Sequence, residues 1–91
     1  MDKGLDDWRK QIDALNEQIL LLLNERAQCA LAVGQLKRQA GLPLYAPERE
    51  TAIFNRLKEL NAGPLNHEAV QRIFRQIMDE SLRLEEDHCG Q

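Results

Sequence analysis

From Leu5 to Gln39 the chain carries no proline and a single interior glycine, Gly34, and its apolar residues keep helical spacing throughout. Trp8, Ile12, Leu15, Ile19, Leu22, Cys29, Val33 and Leu36 follow alternating steps of four and three, a single stripe along a helix about 52 Å long. A compact chain of 91 residues has a radius of gyration of only about 12 Å, so the ends of such a helix project beyond any core the chain can build alone. The run Ile19-Leu20-Leu21-Leu22-Leu23 is apolar on every face, which predicts that the middle of the helix is enclosed on all sides. The expected architecture is therefore an intertwined homodimer in which the long helices pack along one another, most simply antiparallel about a two-fold axis.

Punctuation divides the rest of the chain. Gly41-Leu42-Pro43 ends the first helix, and Pro47 suits the first turn of a second, in which Glu48 and Glu50 complement the positive end of the helix dipole. Asn61-Ala62-Gly63-Pro64 closes that helix, and Asn66 can cap a third running to about Glu86, with Val70, Phe74, Ile77 and Leu84 on its apolar face. No segment alternates with the period of a strand. The fold class is all-α, a single domain over residues 1–91 with helices at about 5–39, 47–61 and 66–86.

The stripe of the first helix has one vacancy, and a permanent cation, Arg26, fills it. An unpaired buried guanidinium is too costly for a small domain, so an anion from this chain, another chain or a ligand must meet it. Eleven residues on, Lys37 falls within about 20° of Arg26 around the helix and about 16 Å along it, so the two long side chains can converge on one small anion. The third helix repeats the pattern: its series has a vacancy at Ser81, and Glu85 stands one turn further on the same face. In the second helix Arg49 begins the stripe continued by Ile53, Leu57 and Leu60, with Glu50 beside it. Each has a plainer reading when taken singly: an internal ion pair for Arg26, a hydroxyl bonded to its own helix for Ser81, solvated side chains for Lys37, Glu50 and Glu85, and an exposed helix terminus for Arg49. Together they describe a polar pocket with a cationic bias inside a protein whose net charge is −3.

That contrast excludes several classes. A nucleic-acid binder would show basic residues on an exposed face with stacking aromatics, whereas the aromatics here are only Trp8, Tyr45, Phe54 and Phe74. A small dianion fits better. No serine or cysteine has an evident histidine base, and no carboxylate cluster has metal-binding form, so neither a metal nor a cofactor is expected. Cys29 reads as a small core residue, and His88-Cys89 as part of a frayed polar tail. The apolar run is too short to span a bilayer, and Met1-Asp2-Lys3-Gly4 begins nothing like a signal peptide, so a cytoplasmic setting is expected.

The ordered set Trp8-Arg9-Lys10-Gln11-Ile12-Asp13-Ala14-Leu15-Asn16, Leu23-Asn24-Glu25-Arg26, Val33-Gly34-Gln35-Leu36-Lys37, Pro47-Glu48-Arg49-Glu50 and Asp79-Glu80-Ser81 resembles the all-helical chorismate mutases, over roughly residues 5 to 86. The resemblance implies a homodimer with two equivalent sites that converts chorismate to prephenate by a Claisen rearrangement, without a cofactor. It implies that Arg26 and Arg9 grip the two substrate carboxylates, Arg9 coming from the partner subunit, and that Lys37 reaches a carboxylate and the ether oxygen. It further implies that Arg49 reinforces the positive field, Glu50 accepts the ring hydroxyl, Ser81 assists carboxylate binding and Glu85 is the second donor to the ether oxygen. Helix geometry agrees about Arg9, which lies about 25 Å along the helix from Arg26 and roughly 100° around it, out of reach of one small ligand within a single chain. Ala46 departs from the pattern, standing where many relatives carry an aspartate, so only a backbone contact can survive there.

As a donor Glu85 must be protonated, and two effects compete in setting its pKa: burial raises it, while Lys37 and Arg26 lower it. Two other functions share parts of the pattern. One is isochorismate pyruvate lyase, which has the same fold and a similar dianionic substrate; the other is a helical dimerisation or effector-binding module without catalysis.

Overall fold

The computed structural model describes residues 4–89, and Met1 to Lys3, like the side chain of Cys89, lie outside what is described. Three helices follow one another: α1 (Leu5–Gln39), α2 (Pro47–Leu60) and α3 (His67–Cys89), with no strand among the described residues. The architecture is all-α with one long N-terminal helix, as the periodicity predicts.

The helix ends have local causes. Asp6 and Asp7 sit in the first turn of α1, and the Asp7 carboxylate accepts a 3.1 Å bond from the Gly4 N–H. At the other end Gly41 adopts a φ of +70°, which lets the Leu42 N–H reach back to the Lys37 carbonyl at 2.8 Å and the Gly41 N–H to the Arg38 carbonyl at 3.2 Å. This paired closure satisfies two carbonyls that a helix end leaves open, and it folds the chain sharply back past Lys37. Pro47 opens α2 from the uncapped Ala46. The α2–α3 turn is organised by Asn61, whose Oδ1 accepts from the Gly63 N–H at 3.0 Å while its amide donates to the Leu65 carbonyl at 2.9 Å. Asn66 then caps α3, its Oδ1 accepting from the Ala69 N–H at 2.8 Å. α3 continues to Cys89, about a turn beyond the expected stop near Glu86, and α2 ends at Leu60, one residue before the expected Asn61.

Packing is confined to one part of the molecule. α3 lies against α1, and α2 touches the rest only through α3. The radius of gyration is 16.6 Å and the molecule measures 59 × 25 × 15 Å, an elongated body set by α1. One expectation about burial, that for Cys29, fails within the single chain, and the enclosure expected for the Ile19–Leu23 run between paired chains is not supplied by one chain alone. The Ile19–Leu23 run is not enclosed, since Leu20 is 62% exposed and its neighbours are also open to solvent. Cys29 is exposed rather than part of a core. Among the described residues the one buried apolar side chain is Met78, 4% exposed, while Val70, Phe74, Ile77 and Leu84 are only half-buried. Among the described residues no helix is long and apolar enough to cross a membrane.

Candidate active site

Where the back half of α1 faces α3 and the start of α2, the chain encloses an open cleft of about 260 Å³. Arg26 and Lys37 enter it from α1, Ser81 and Glu85 from α3, and Arg49 and Glu50 from α2, with Ala46 at the lip of α2. Every residue singled out from the sequence is thus present except Arg9, which lies on the far, exposed half of α1. The α1 register explains the first pair, because Arg26 and Lys37 sit on the face of the helix that meets α3.

Arg26 is held rather than free. Its Nη1 donates to Ser81 Oγ at 2.8 Å, and Ser81 donates its own proton to the Ile77 carbonyl at 2.9 Å. The serine hydroxyl therefore does bond back to its helix, and by doing so it offers its lone pairs to Arg26. Lys37 Nζ donates to the Leu44 carbonyl at 2.9 Å, a contact made possible by the reversal of the chain at Gly41. Two of its three N–H groups stay available for other acceptors.

Glu85 is the most unusual group in the cleft. It is only 8% exposed, and its Oε1 is buried with no hydrogen-bond partner. Burial pushes its carboxyl pKa above the ordinary range; Lys37 and then Arg26 pull the other way, and Glu86 adds to the rise. The competition left open by the sequence is resolved in favour of burial. A buried oxygen without a partner costs about 1–3 kcal/mol, a cost that a ligand supplying the partner would remove.

Glu50 lies deeper than its place in the first turn of a short helix suggests. Its Oε1 accepts a 2.9 Å bond from Arg75 on α3, a residue that no interruption of an apolar stripe marks in the sequence. Arg49 makes no ion pair or hydrogen bond among the described residues. With the Glu50 charge paired to Arg75, the three cations Arg26, Lys37 and Arg49 outweigh Glu85 even when it is ionised and leave the cleft net cationic, which suits a small anion carrying more than one charge. Tyr45 and Cys29 also reach the wall and were not anticipated there. Among the described residues no group of His, Cys, Asp and Glu has the arrangement to hold a metal ion.

Comparison with known proteins gives a consistent picture. Residues 8–86 match the family model described as chorismate mutase type II. The bifunctional chorismate mutase/prephenate dehydratase of Neisseria gonorrhoeae is 47% identical over 85 residues, a match covering 93% of this chain and 23% of that protein. The chain thus spans about a quarter of the length of the bifunctional relatives it matches. The chorismate mutase of Methanocaldococcus jannaschii is 40% identical over 60 residues, 66% of this chain and 61% of that one. Among solved structures, form II of chorismate mutase from Thermus thermophilus superposes with a TM-score of 0.90 at 37% identity, covering 92% of this chain and 96% of the other. The chorismate mutase of Helicobacter pylori, solved in complex with prephenate, superposes with a TM-score of 0.87 at 29% identity over 96% and 94% of the two chains.

Proposed function

Because the chain belongs to the chorismate mutase type II family, we propose that it converts chorismate to prephenate, on the route to phenylalanine and tyrosine. The observation that carries this reading is the meeting of Arg26, Lys37 and the unpartnered Glu85 carboxyl on one open, cationic cleft. The rearrangement is intramolecular. The ether C–O bond breaks while a C–C bond forms within the same molecule, so no electron or atom leaves and the balance calls for no coenzyme. What remains for the protein is to hold a flexible dianion in its folded, reactive shape and to stabilise the negative charge that grows on the ether oxygen.

The residues divide that work. Arg26, aimed by Ser81, takes one carboxylate, and Lys37 bridges a carboxylate and the ether oxygen. Glu85 in its protonated form donates the second hydrogen bond to that oxygen, a role its raised pKa favours, since an ionised carboxylate has no proton to give. Glu50 accepts the ring hydroxyl, Arg49 strengthens the positive field, and the Ala46 backbone serves where its side chain offers nothing polar.

The second carboxylate requires Arg9, and within one chain Arg9 is out of reach. We therefore infer a homodimer in which Arg9 of the partner subunit completes each site. The exposed apolar stripe on the front half of α1 supports this, because a row of Trp8, Ile12, Leu15 and Ile19 left in water is a surface that a second copy would cover. The same reading places the enzyme in the cytoplasm, in keeping with Cys29 as a free thiol.

Incubating the purified chain with chorismate and following prephenate tests the proposal directly. Prephenate should accumulate at a rate unchanged by exhaustive chelation, and isochorismate should give no salicylate and pyruvate. A folded protein that releases salicylate and pyruvate, or leaves chorismate untouched, would overturn the assignment.

A further inference from the structure

Arg75 stands behind the cleft rather than in its wall, yet it meets three partners at once. Its Nη1 donates to Glu50 Oε1 at 2.9 Å and to Asp79 Oδ1 at 3.2 Å, and its guanidinium carbon lies 5.1 Å from the centroid of the Phe54 ring. One partner is on its own helix one turn away, and the other two are on α2. The burial is lopsided: the Glu50 side chain is 14% exposed and that of Arg75 is 43% exposed. The carboxylate is thus the inward member, facing the cleft, and the arginine is the outer clamp, fixed by an ion pair on one side and an aromatic face on another. It is also the one ion pair joining α2 to α3 among the described residues.

We propose that Arg75 is a positioning residue for the reaction: by gripping Oε1 of Glu50 it fixes the orientation of that carboxylate, so that the ring hydroxyl of the substrate meets an acceptor already in place. The proposal rests on the reading of Glu50 as the hydroxyl acceptor. A glutamate in the first turn of a helix has three side-chain torsions to lose on binding a ligand, and ordering it in advance removes that cost from the binding step. One N–H of Arg75 occupies only part of the acceptor capacity of a carboxylate, so the clamp and the substrate hydroxyl are compatible. Asp79 and Phe54 then have a role as well. They hold the arginine in the one geometry that serves Glu50.

A purely structural brace between α2 and α3 is the competing account, and a selectivity measurement separates the two. The probe is chorismate alongside an analogue bearing hydrogen in place of the ring hydroxyl, each followed by kcat/KM. In the wild-type chain the ratio of the two should favour chorismate. Arg75→Met should reduce that ratio about tenfold, the scale of losing one well-placed hydrogen bond, and Arg75→Lys should recover part of it. In a Glu50→Ala background Arg75→Met should leave the ratio where Glu50→Ala put it. If Arg75→Met lowers turnover of both compounds in equal proportion, the arginine only braces the helices and the proposal is overturned with the Glu50 assignment intact. If the wild-type chain itself shows no preference for the hydroxyl, the Glu50 assignment fails and takes this proposal with it. Should Arg75→Met not fold, Asp79→Asn decides: loosening the clamp from its outer side should lower the same ratio, and an unchanged ratio would refute the positioning role.

Discussion

The two halves of α1 share one sequence pattern and meet different fates. From Arg26 onward α3 covers one face of the helix, the face that buries Gly34 and directs Arg26 and Lys37 into the cleft, while Cys29, Val33 and Leu36 of the stripe stay exposed. From Leu5 to Leu23 the same stripe of apolar residues, at the same spacing, lies open along its length. Propensity and periodicity do not distinguish the halves. What differs is whether this chain has anything left to cover them, and with α3 packed against the back half and α2 against α3, nothing remains for the front. On the proposed homodimer, the contrast teaches that the unit specified by the sequence is larger than the unit of the chain. The front half of α1 carries both the uncovered stripe and Arg9, the one residue of the proposed site that the cleft lacks.

The comparison can be broken most severely at the front half. Ile19→Glu would place a carboxylate in the inferred interface, where an unpaired charge cannot be tolerated, so the variant should sediment as a monomer and lose essentially all activity. If the front half were simply a solvated surface, the same change would shift stability by no more than about 0.5 kcal/mol and leave turnover alone. At the back half Arg26→Ala should keep the dimer and the helical content but lower kcat/KM by about 100- to 1000-fold, the usual effect of removing one preorganised charged donor. A loss of activity that tracked unfolding instead would place Arg26 in the packing rather than the chemistry.

Glu85 sharpens the contrast through pH. Its carboxyl pKa is raised in the folded chain, so the protonated form contributes stability that is fully present below the ordinary carboxylate pKa and is lost as pH rises through the raised value. Activity should decline over the same rise, because the donor is deprotonated. Glu85→Gln donates at every pH and should flatten both the stability and the kcat/KM profiles on the alkaline side, whereas Glu85→Ala should be poor throughout. A Gln variant that retains the wild-type profile would remove Glu85 as the titrating group.

The smallest effect is expected at Ala46. It caps α2 without a side-chain hydrogen bond, so Ala46→Asp should add about 1 kcal/mol of stability, visible as a rise of a few degrees in Tm. No rise would mean that the carboxylate is drawn to the nearby cations instead of the helix end.

Much of this organisation is legible in the residues alone. Periodicity and punctuation locate the helices, and the interruption of apolar stripes at Arg26, Ser81 and Glu85 locates the cleft, because both are local properties that survive any packing arrangement. Contacts that depend on register between helices are not legible. The Arg75–Glu50 clamp joins residues 25 positions apart on α3 and α2, and no spacing rule links them. The Lys37 contact goes to the backbone carbonyl of Leu44, a group every residue possesses. Met78 fell outside the apolar series because α3 packs on both neighbours at once, so its buried face is wider than a single stripe. The direction of the Glu85 pKa shift depends on depth of burial, which the sequence does not encode locally. Cys29 is exposed although it lies in the back half of α1, because apolar spacing shows that a surface wants covering without showing which chain or helix covers it.

The central claim, that each site is divided between two chains, is tested most directly by complementation. Arg9→Ala and Arg26→Ala should each be nearly inactive alone. Unfolded together and refolded as a mixture, they should form heterodimers carrying one intact site and one doubly broken site. With random pairing half the dimers are mixed and each has half its sites working, so the mixture should recover roughly a quarter of wild-type activity. Recovery near that value is the predicted result; no recovery, with heterodimers demonstrably present, would contradict the shared site and leave the front half of α1 without the role assigned to it.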